Sequence, residues 1–164
     1  MDMDFPREEV QAAADRYVAI RHDIHESTEP NFGLLADLYT DDAVYFDASW
    51  GRMEGKDVIS AWLVDSMVGL DEWRFPVEFV AISGNNVVVK WTQYIPGTKA
   101  DGSAYTQSAF SRLIYAGNGR FSYEEDIYDM AHVIDDIASS GWRPSVPMNV
   151  PPHQPDRNWQ PRQA

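Results

Sequence analysis

Residues 38–47 read Leu38-Tyr39-Thr40-Asp41-Asp42-Ala43-Val44-Tyr45-Phe46-Asp47. An acidic pair followed by an aromatic, β-prone run predicts the end of a helix, a turn at Asp41-Asp42 and a strand over residues 44–47. The strand carries one carboxylate, Asp47, into apolar surroundings. Loss of hydration favours the protonated form of such an acid, so it can exchange protons near neutral pH. Asp47 is thus the leading catalytic candidate, although an aspartate here can also simply cap a turn.

The composition and net charge of the chain limit the classes of protein to which it can belong. The chain has 164 residues with 44% hydrophobic residues, enough for one domain with a core. Its net charge of -13 argues against nucleic acid or anionic membrane surfaces as partners. The absence of cysteine excludes thiol catalysis, disulfides and cysteine-bound zinc. The first residues are acidic and polar, and no run is apolar enough to span a bilayer, so we expect a cytoplasmic protein.

Helices are predicted in the first part of the chain. Apolar residues recur at three- and four-residue steps over residues 8–27, which predicts a helix that points Tyr17 inward. A second, shorter helix is expected at residues 32–39. After a glycine-bracketed turn at residues 51–55, a third helix is expected at residues 56–67.

Strands are predicted in the second part, separated by turns rich in glycine and asparagine. Such turns favour antiparallel hairpins. The fold class is therefore α+β, with three helices packed on one face of a curved antiparallel sheet that encloses a pocket. The expected strands cover residues 73–82, 87–95, 104–115 and 120–128.

The end of the chain differs in composition. A short helix is predicted at residues 130–138, so the domain spans residues 1–140. Residues 141–164 hold six of the 10 prolines and cannot form a helix or a central strand. This tail is either disordered or an arm docked on the domain or on a second subunit. The side chains that such an arm can bury are Trp142, Met148 and Trp159.

The order of elements and four short motifs resemble the SnoaL-like group of the nuclear transport factor 2-like superfamily over roughly residues 8–130. The motifs are Arg16-Tyr17-Val18-Ala19, Leu38-Tyr39-Thr40-Asp41-Asp42-Ala43, Gly51-Arg52-Met53-Glu54-Gly55-Lys56 and Gly119-Arg120-Phe121. The resemblance implies a cone around a mostly apolar cavity and a homodimer formed through the sheet. Members include isomerases, cyclases, dehydratases, epoxide hydrolases and non-enzymatic modules, so the fold leaves function open.

The resemblance also implies roles for individual residues. Tyr17 resembles the tyrosine that donates to the enolate oxygen in the family's ketosteroid isomerases, and Asp47 resembles their base. Those isomerases carry a protonated aspartic acid where this chain has Ser111, a weaker hydrogen-bond donor. Asp126 matches an aspartate that exchanges protons in SnoaL-like cyclases and limonene epoxide hydrolase. Residues 90–93 offer no arginine to complete the hydrolase triad.

Strand alternation places Glu124, Asp126 and Tyr128 on one face. If this face lines the cavity, Asp126 faces Asp47, and two close carboxylates in a dry site raise one pKa and form an acid and base pair. Tyr17 can instead be an ordinary core residue, and Asp126 a solvated or interface charge. The candidate lining residues are Tyr45, Trp50, Trp62, Trp91, Gln107, Ser111, Tyr128 and His132.

We expect neither a metal nor a cofactor. His22 and His25 have a spacing of three, but an exposed helix face explains them. The first hypothesis is a cofactor-independent isomerase or cyclase acting on a hydrophobic carbonyl or polycyclic compound. The alternatives are a non-catalytic binding or dimerisation module, an epoxide hydrolase or dehydratase, and a structural subunit similar to the β subunit of ring-hydroxylating dioxygenases.

Overall fold

A computed structural model describes residues 5–162. Its helices and strands form an α+β fold. Within these residues no helix combines the length and the apolar character needed to cross a membrane. In chain order the elements are α1 (Arg7–Glu26), a 3₁₀-helix (Phe32–Leu38), β1 (Tyr39–Asp47), β2 (Gly51–Glu54), α2 (Lys56–Asp65), β3 (Val77–Ser83), β4 (Asn86–Thr98), β5 (Ala104–Tyr115), β6 (Phe121–Tyr128) and α3 (Met130–Ser140).

The strands form one sheet in the order β2-β1-β6-β5-β4-β3. All neighbouring pairs are antiparallel except β1 and β6, which are parallel. The main core lies between the sheet and the apolar stripe of α1, where Val10, Ala14 and Tyr17 are buried. The expected α+β class and the helix layer on a mostly antiparallel sheet are confirmed.

The turn predicted at Asp41-Asp42 is wrong, because β1 runs without a break from Tyr39 to Asp47. Its register on β6 shifts between Tyr39 and Val44, and the bulge leaves both acidic side chains exposed. An acidic pair that looks like a turn is thus accommodated at an irregular stretch of strand. The chain reverses after Asp47 instead.

The turn predicted at residues 51–55 is also wrong, because Gly51–Glu54 is strand β2. It pairs antiparallel with β1, and Asp47 lies opposite Gly51. Glycines at its two ends, Gly51 and Gly55, have φ of 84° and 91°, a conformation that side chains disfavour. The two glycines therefore delimit a short edge strand.

Other helix and strand boundaries differ from the predicted ones by a few residues. Strand β3 begins at Val77, and the residues before it make one isolated bridge, between Arg74 and Tyr94. Pro76 has no N–H group to extend the ladder. The second predicted helix is a 3₁₀-helix, and the third ends at Asp65.

Residues 141–162, here called the C-terminal arm, contain no helix or strand and run across the domain. The Arg52 backbone N–H donates to the Asp156 carbonyl at 2.9 Å, and the Arg52 guanidinium donates to the Asn158 and Gln160 carbonyls. Trp142 is buried against Trp73, with ring centroids 5.6 Å apart. Trp159, in contrast, is half exposed. Backbone hydrogen bonds therefore anchor the arm beside β2.

Candidate active site

A cavity of about 180 Å³ lies between the helices, the inner face of the sheet and the C-terminal arm. Its walls are mainly aromatic, and arm residues 148–151 form part of its boundary. The aromatic wall comprises Phe32, Trp50, Trp62, Trp73, Phe75 and Trp91. Such walls suit a flat apolar ligand, while a few polar groups fix its orientation.

The three catalytic candidates, Tyr17, Asp47 and Asp126, all line this one cavity. They come from α1, β1 and β6, three elements that are distant in sequence. Five of the predicted lining residues also contact it. These are Tyr45, Trp50, Trp62, Trp91 and Tyr128.

Gln107, Ser111 and His132 do not line the cavity, contrary to expectation. The Gln107 amide donates to Asp136 of α3 at 2.5 Å, and His132 Nε2 lies 3.3 Å from the same carboxylate. Helix α3 thus covers Gln107. Ser111 is fully buried, with its hydroxyl between Trp91 and Asp126.

Asp47 both caps a turn and faces the cavity, so the two interpretations of this residue coexist. Its Oδ1 accepts the Ser49 and Trp50 backbone N–H groups at 2.7 and 2.9 Å and the Tyr128 hydroxyl at 2.9 Å. Burial, together with the nearby charge of Asp126, raises the pKa of Asp47 to about 6. Both protonation states of Asp47 are therefore accessible near neutral pH.

Asp126 is the register partner of Asp47 on the neighbouring strand. The Tyr45 hydroxyl donates to its Oδ2 at 2.6 Å, and the Ser111 hydroxyl donates to its Oδ1 at 2.5 Å. Ser111 itself accepts the Trp91 indole N–H at 3.0 Å. Burial raises the pKa of Asp126, but these donors oppose the rise because they stabilise the charged form.

Glu124 is a third carboxyl group, fully buried behind the cavity wall. It accepts the Tyr17 hydroxyl at 2.6 Å and the Tyr39 hydroxyl, and Tyr45 lies 3.3 Å away. Burial and the charge of Asp126 raise the pKa of Glu124 well above its usual range. The Tyr17 and Tyr39 hydroxyls and the charge of Arg21 oppose this rise, because they stabilise the charged form of Glu124. Alternation placed Glu124 on this face, but the sequence did not single it out as a site residue.

The Tyr17 hydroxyl is already engaged. It donates to Glu124 and accepts an N–H group of Arg21 at 3.2 Å. The role implied by the family resemblance, donation to a ligand oxygen, requires a proton that Glu124 takes in this arrangement. Tyr17 thus connects the buried carboxyl group to a cation.

Arg21 was missed from the sequence. It is buried, lines the cavity, and places its guanidinium carbon 5.0 Å from the Trp91 ring centroid. The available signal was its position four residues after Tyr17, on the apolar stripe of α1. A charged residue on a buried helix face indicates function or pairing.

Within residues 5–162, no group of three histidine, aspartate or glutamate side chains is arranged to hold a metal ion. Among the described residues that line the cavity, Arg21 is the one cation, and no cluster of cations is present that would suit a phosphate-bearing cofactor. Asp47 and Asp126, which line the cavity, can supply proton transfer.

Solved structures share the fold. A protein from Jannaschia sp. CCS1, assigned as a SnoaL-like polyketide cyclase, superposes with a TM-score of 0.63 at 16% identity, covering 85% of this chain and 98% of that one. A protein from Shewanella putrefaciens CN-32 with the same assignment superposes with a TM-score of 0.60 at 21% identity, covering 82% of this chain and 88% of that one. TerC, co-crystallised with polyporic acid, superposes with a TM-score of 0.57 at 18% identity, covering 79% of this chain and 98% of that one.

At these identities the structures establish the nuclear transport factor 2-like fold and nothing finer. No curated protein matches the chain by sequence. Residues 20–123, well over half of the chain, match the SnoaL-like domain family. The chain therefore belongs to the SnoaL-like domain family.

Proposed function

We propose that this protein is a cofactor-independent enzyme that moves a proton on a hydrophobic carbonyl compound, as isomerases and cyclases do. The observation that supports it is the pair Asp47 and Asp126. These two buried carboxyl groups, from adjacent strands, reach the same aromatic cavity. General acid–base catalysis needs such groups in a dry site, with pKa values near the working pH.

Asp47 is the better base of the two. Its Oδ2 accepts only the longer of the two Tyr128 contacts, at 3.2 Å, whereas each oxygen of Asp126 accepts a strong donor. A pKa of about 6 keeps Asp47 ionised at neutral pH and still basic enough to take a proton. Asp126 then supplies a second site for proton exchange.

In the proposed step, Asp47 Oδ2 takes a proton from the carbon next to a carbonyl group. The electron pair of that C–H bond forms a C=C bond, and the carbonyl oxygen becomes an enolate. An isomerase returns the proton to a different carbon. In a cyclase the enolate carbon bonds to the carbon of a second carbonyl group in the same substrate, whose oxygen takes the proton from Asp47. Both outcomes are balanced without a cofactor.

The cavity also limits substrate size. Its volume of about 180 Å³ is close to that of cavities of roughly 150 Å³ that hold benzene, and below the 300 Å³ at the lower end for drug-sized ligands. A substrate of one or two rings therefore fits. A larger polycyclic compound requires movement of arm residues 148–151. TerC, with the same fold, was co-crystallised with polyporic acid, which supports a small-molecule ligand.

The test is deuterium incorporation. One- and two-ring ketones are incubated with the protein in D₂O, and mass spectrometry follows exchange at the carbon next to the carbonyl. We expect exchange above background, reduced roughly 10²-fold or more by Asp47→Asn. Asp42→Asn, an exposed change on the same strand, is the control. Binding without exchange supports a non-catalytic module and contradicts the proposal.

We also propose a homodimer formed through the sheet. Phe79, Phe110 and Ile127 are exposed on the outer face, and Lys90 lies between the two phenylalanines in the same cross-strand row. A row of exposed apolar side chains on adjacent strands is typical of an interaction surface. A cytoplasmic location remains a prediction from composition.

A further inference from the structure

A buried cation that makes no direct ion pair lies on the cavity wall. Arg21 is 8% exposed and lines the cavity. Among the ion pairs of residues 5–162, none involves Arg21. The charges of Asp126 and Glu124 interact with Arg21 from a greater distance, so no carboxylate occupies the direct hydrogen-bonding positions of a buried guanidinium that borders a cavity.

The hydrogen bonds of Arg21 leave donors free. A guanidinium has five N–H groups. Within the described chain, one donates to the Tyr17 hydroxyl and one to the Phe75 carbonyl, each at 3.2 Å. The guanidinium carbon also lies 5.0 Å from the Trp91 ring centroid, within the range of a cation–π contact. The remaining donors are available to a ligand.

Tyr17 is less suited to hold a ligand oxygen. Its proton goes to Glu124 at 2.6 Å, and Tyr39 approaches the other oxygen of that carboxyl group. Arg21 donates into the Tyr17 hydroxyl, so Tyr17 supports the orientation of the guanidinium. The tyrosine is thus a positioning residue, and the arginine is the group with unused donors.

We propose that Arg21 is a further catalytic residue, which binds the substrate's carbonyl oxygen and stabilises it as it becomes an enolate. This inference rests on the proposed function. The proton passes from carbon to Asp47, and the negative charge passes from the Asp47 carboxylate to the oxygen held by Arg21. The total charge in the cavity stays constant during this step, so the step adds no net buried charge.

The test uses 4-nitrophenol, a one-ring enolate mimic whose anion has a distinct visible absorption band. The probe is bound below the pKa of the free phenol, where the unbound probe is neutral. We expect the wild-type protein to bind the probe as its anion. The uncharged ether 4-nitroanisole has nearly the same shape and measures binding by shape alone.

Variants then test which side chain binds the oxygen of the probe. Arg21→Met keeps an apolar stem and is expected to lower the bound anion-to-neutral ratio roughly tenfold or more, while 4-nitroanisole affinity stays within about threefold. Arg16→Met, an exposed change on the same helix, is the control. Tyr17→Phe is expected to retain most of the anion band, because Arg21 remains.

Several results would overturn the inference. They are an anion band unaffected by Arg21→Met, a band lost in Tyr17→Phe but kept in Arg21→Met, a wild-type protein that binds only neutral probe, or no binding of either probe. The wild-type comparison needs no variant, so a misfolded Arg21→Met does not prevent the test. Asp47→Asn distinguishes the two proposals: it removes deuterium exchange if the proposed function is right, and leaves the anion band if this inference is right.

Discussion

Asp47 and Asp126 are register partners across β1 and β6, the parallel strand pair at the centre of the site. Paired residues on adjacent strands point to the same face, so both carboxyl groups enter one cavity. Each accepts a different tyrosine hydroxyl, Tyr128 for Asp47 and Tyr45 for Asp126. This relationship underlies the raised pKa of Asp47, because burial and a like charge both oppose its ionisation.

The first prediction concerns stability against pH. The pKa of Asp47 is about 6 in the folded state and near 3.8 when unfolded. The folded state therefore binds more protons between these values, and the contribution of Asp47 to stability falls as pH rises from about 4 to about 6. Asp47→Asn removes this effect. The change that it causes in the free energy of unfolding is therefore expected to be more stabilising at pH 7.5 than at pH 4, by up to about 3 kcal/mol.

Urea unfolding at the two pH values measures this difference. The control is Asp42→Asn, because that side chain is exposed on the same strand. If Asp47→Asn changes stability by the same amount at both pH values, the proposed burial of charge at Asp47 is wrong.

The second prediction concerns Glu124. Glu124→Gln keeps a carbonyl acceptor for Tyr17, and burial raises the pKa of the native carboxyl group, so we expect a loss of only about 1 kcal/mol. Glu124→Ala leaves the buried Tyr17 and Tyr39 hydroxyls without this acceptor and is expected to cost roughly 3 kcal/mol or more.

Glu125→Ala is the matched control, because Glu125 is on the same strand with its side chain on the opposite face, paired with Arg112 at 3.3 Å. Its expected cost is below about 1 kcal/mol. Equal losses for Glu124→Gln and Glu124→Ala in urea unfolding would show that an amide carbonyl does not replace the carboxyl group as the acceptor for Tyr17 and Tyr39.

Local patterns in the sequence predicted much of this architecture. The apolar steps of α1 placed Tyr17 inward, and the alternation of β6 placed Glu124 and Asp126 on one face. Both patterns depend on the periodicity of a single element. The acidic pair Asp41-Asp42 has the composition of a turn, but a bulge places both side chains in solvent without ending the strand.

The network around Glu124 could not be predicted in the same way. The Tyr17 and Tyr39 hydroxyls come from 107 and 85 residues away in sequence, so their meeting depends on packing between elements. The free donors of Arg21 depend in turn on which acceptors the fold brings near it. Periodicity gives the face of a side chain, whereas hydrogen-bond partners require the three-dimensional structure.

The third prediction tests the proposed dimer. Phe110→Ser removes an apolar side chain from the centre of the exposed row and is expected to weaken dimerisation by roughly tenfold. Val58→Ser is the control, because Val58 is about as exposed but lies on α2. Sedimentation equilibrium measures the dissociation constant of each variant. A monomeric wild-type protein, or equal effects of the two changes, would contradict the sheet-mediated dimer.

The fourth prediction tests how the C-terminal arm closes the cavity. Gly69 and Gly102 have nearly the same φ, 82° and 85°. A Cβ at Gly69 would lie 2.8 Å from the Val146 carbonyl oxygen, whereas a Cβ at Gly102 meets nothing within 4 Å. Alanine at either position therefore carries similar backbone strain, roughly 1–2 kcal/mol, but only Gly69→Ala also pushes against the arm.

We expect amide hydrogen exchange in residues 145–150 to be roughly tenfold faster in Gly69→Ala than in Gly102→Ala, because contacts that hold the arm set its local opening. Arm residues 148–151 border the cavity, so Gly69→Ala should also admit larger ring compounds than the wild-type protein. Binding of two- and three-ring ketones, followed by tryptophan fluorescence, measures this change. Equal exchange rates in the two variants would show that the Gly69 contact does not hold the arm over the cavity.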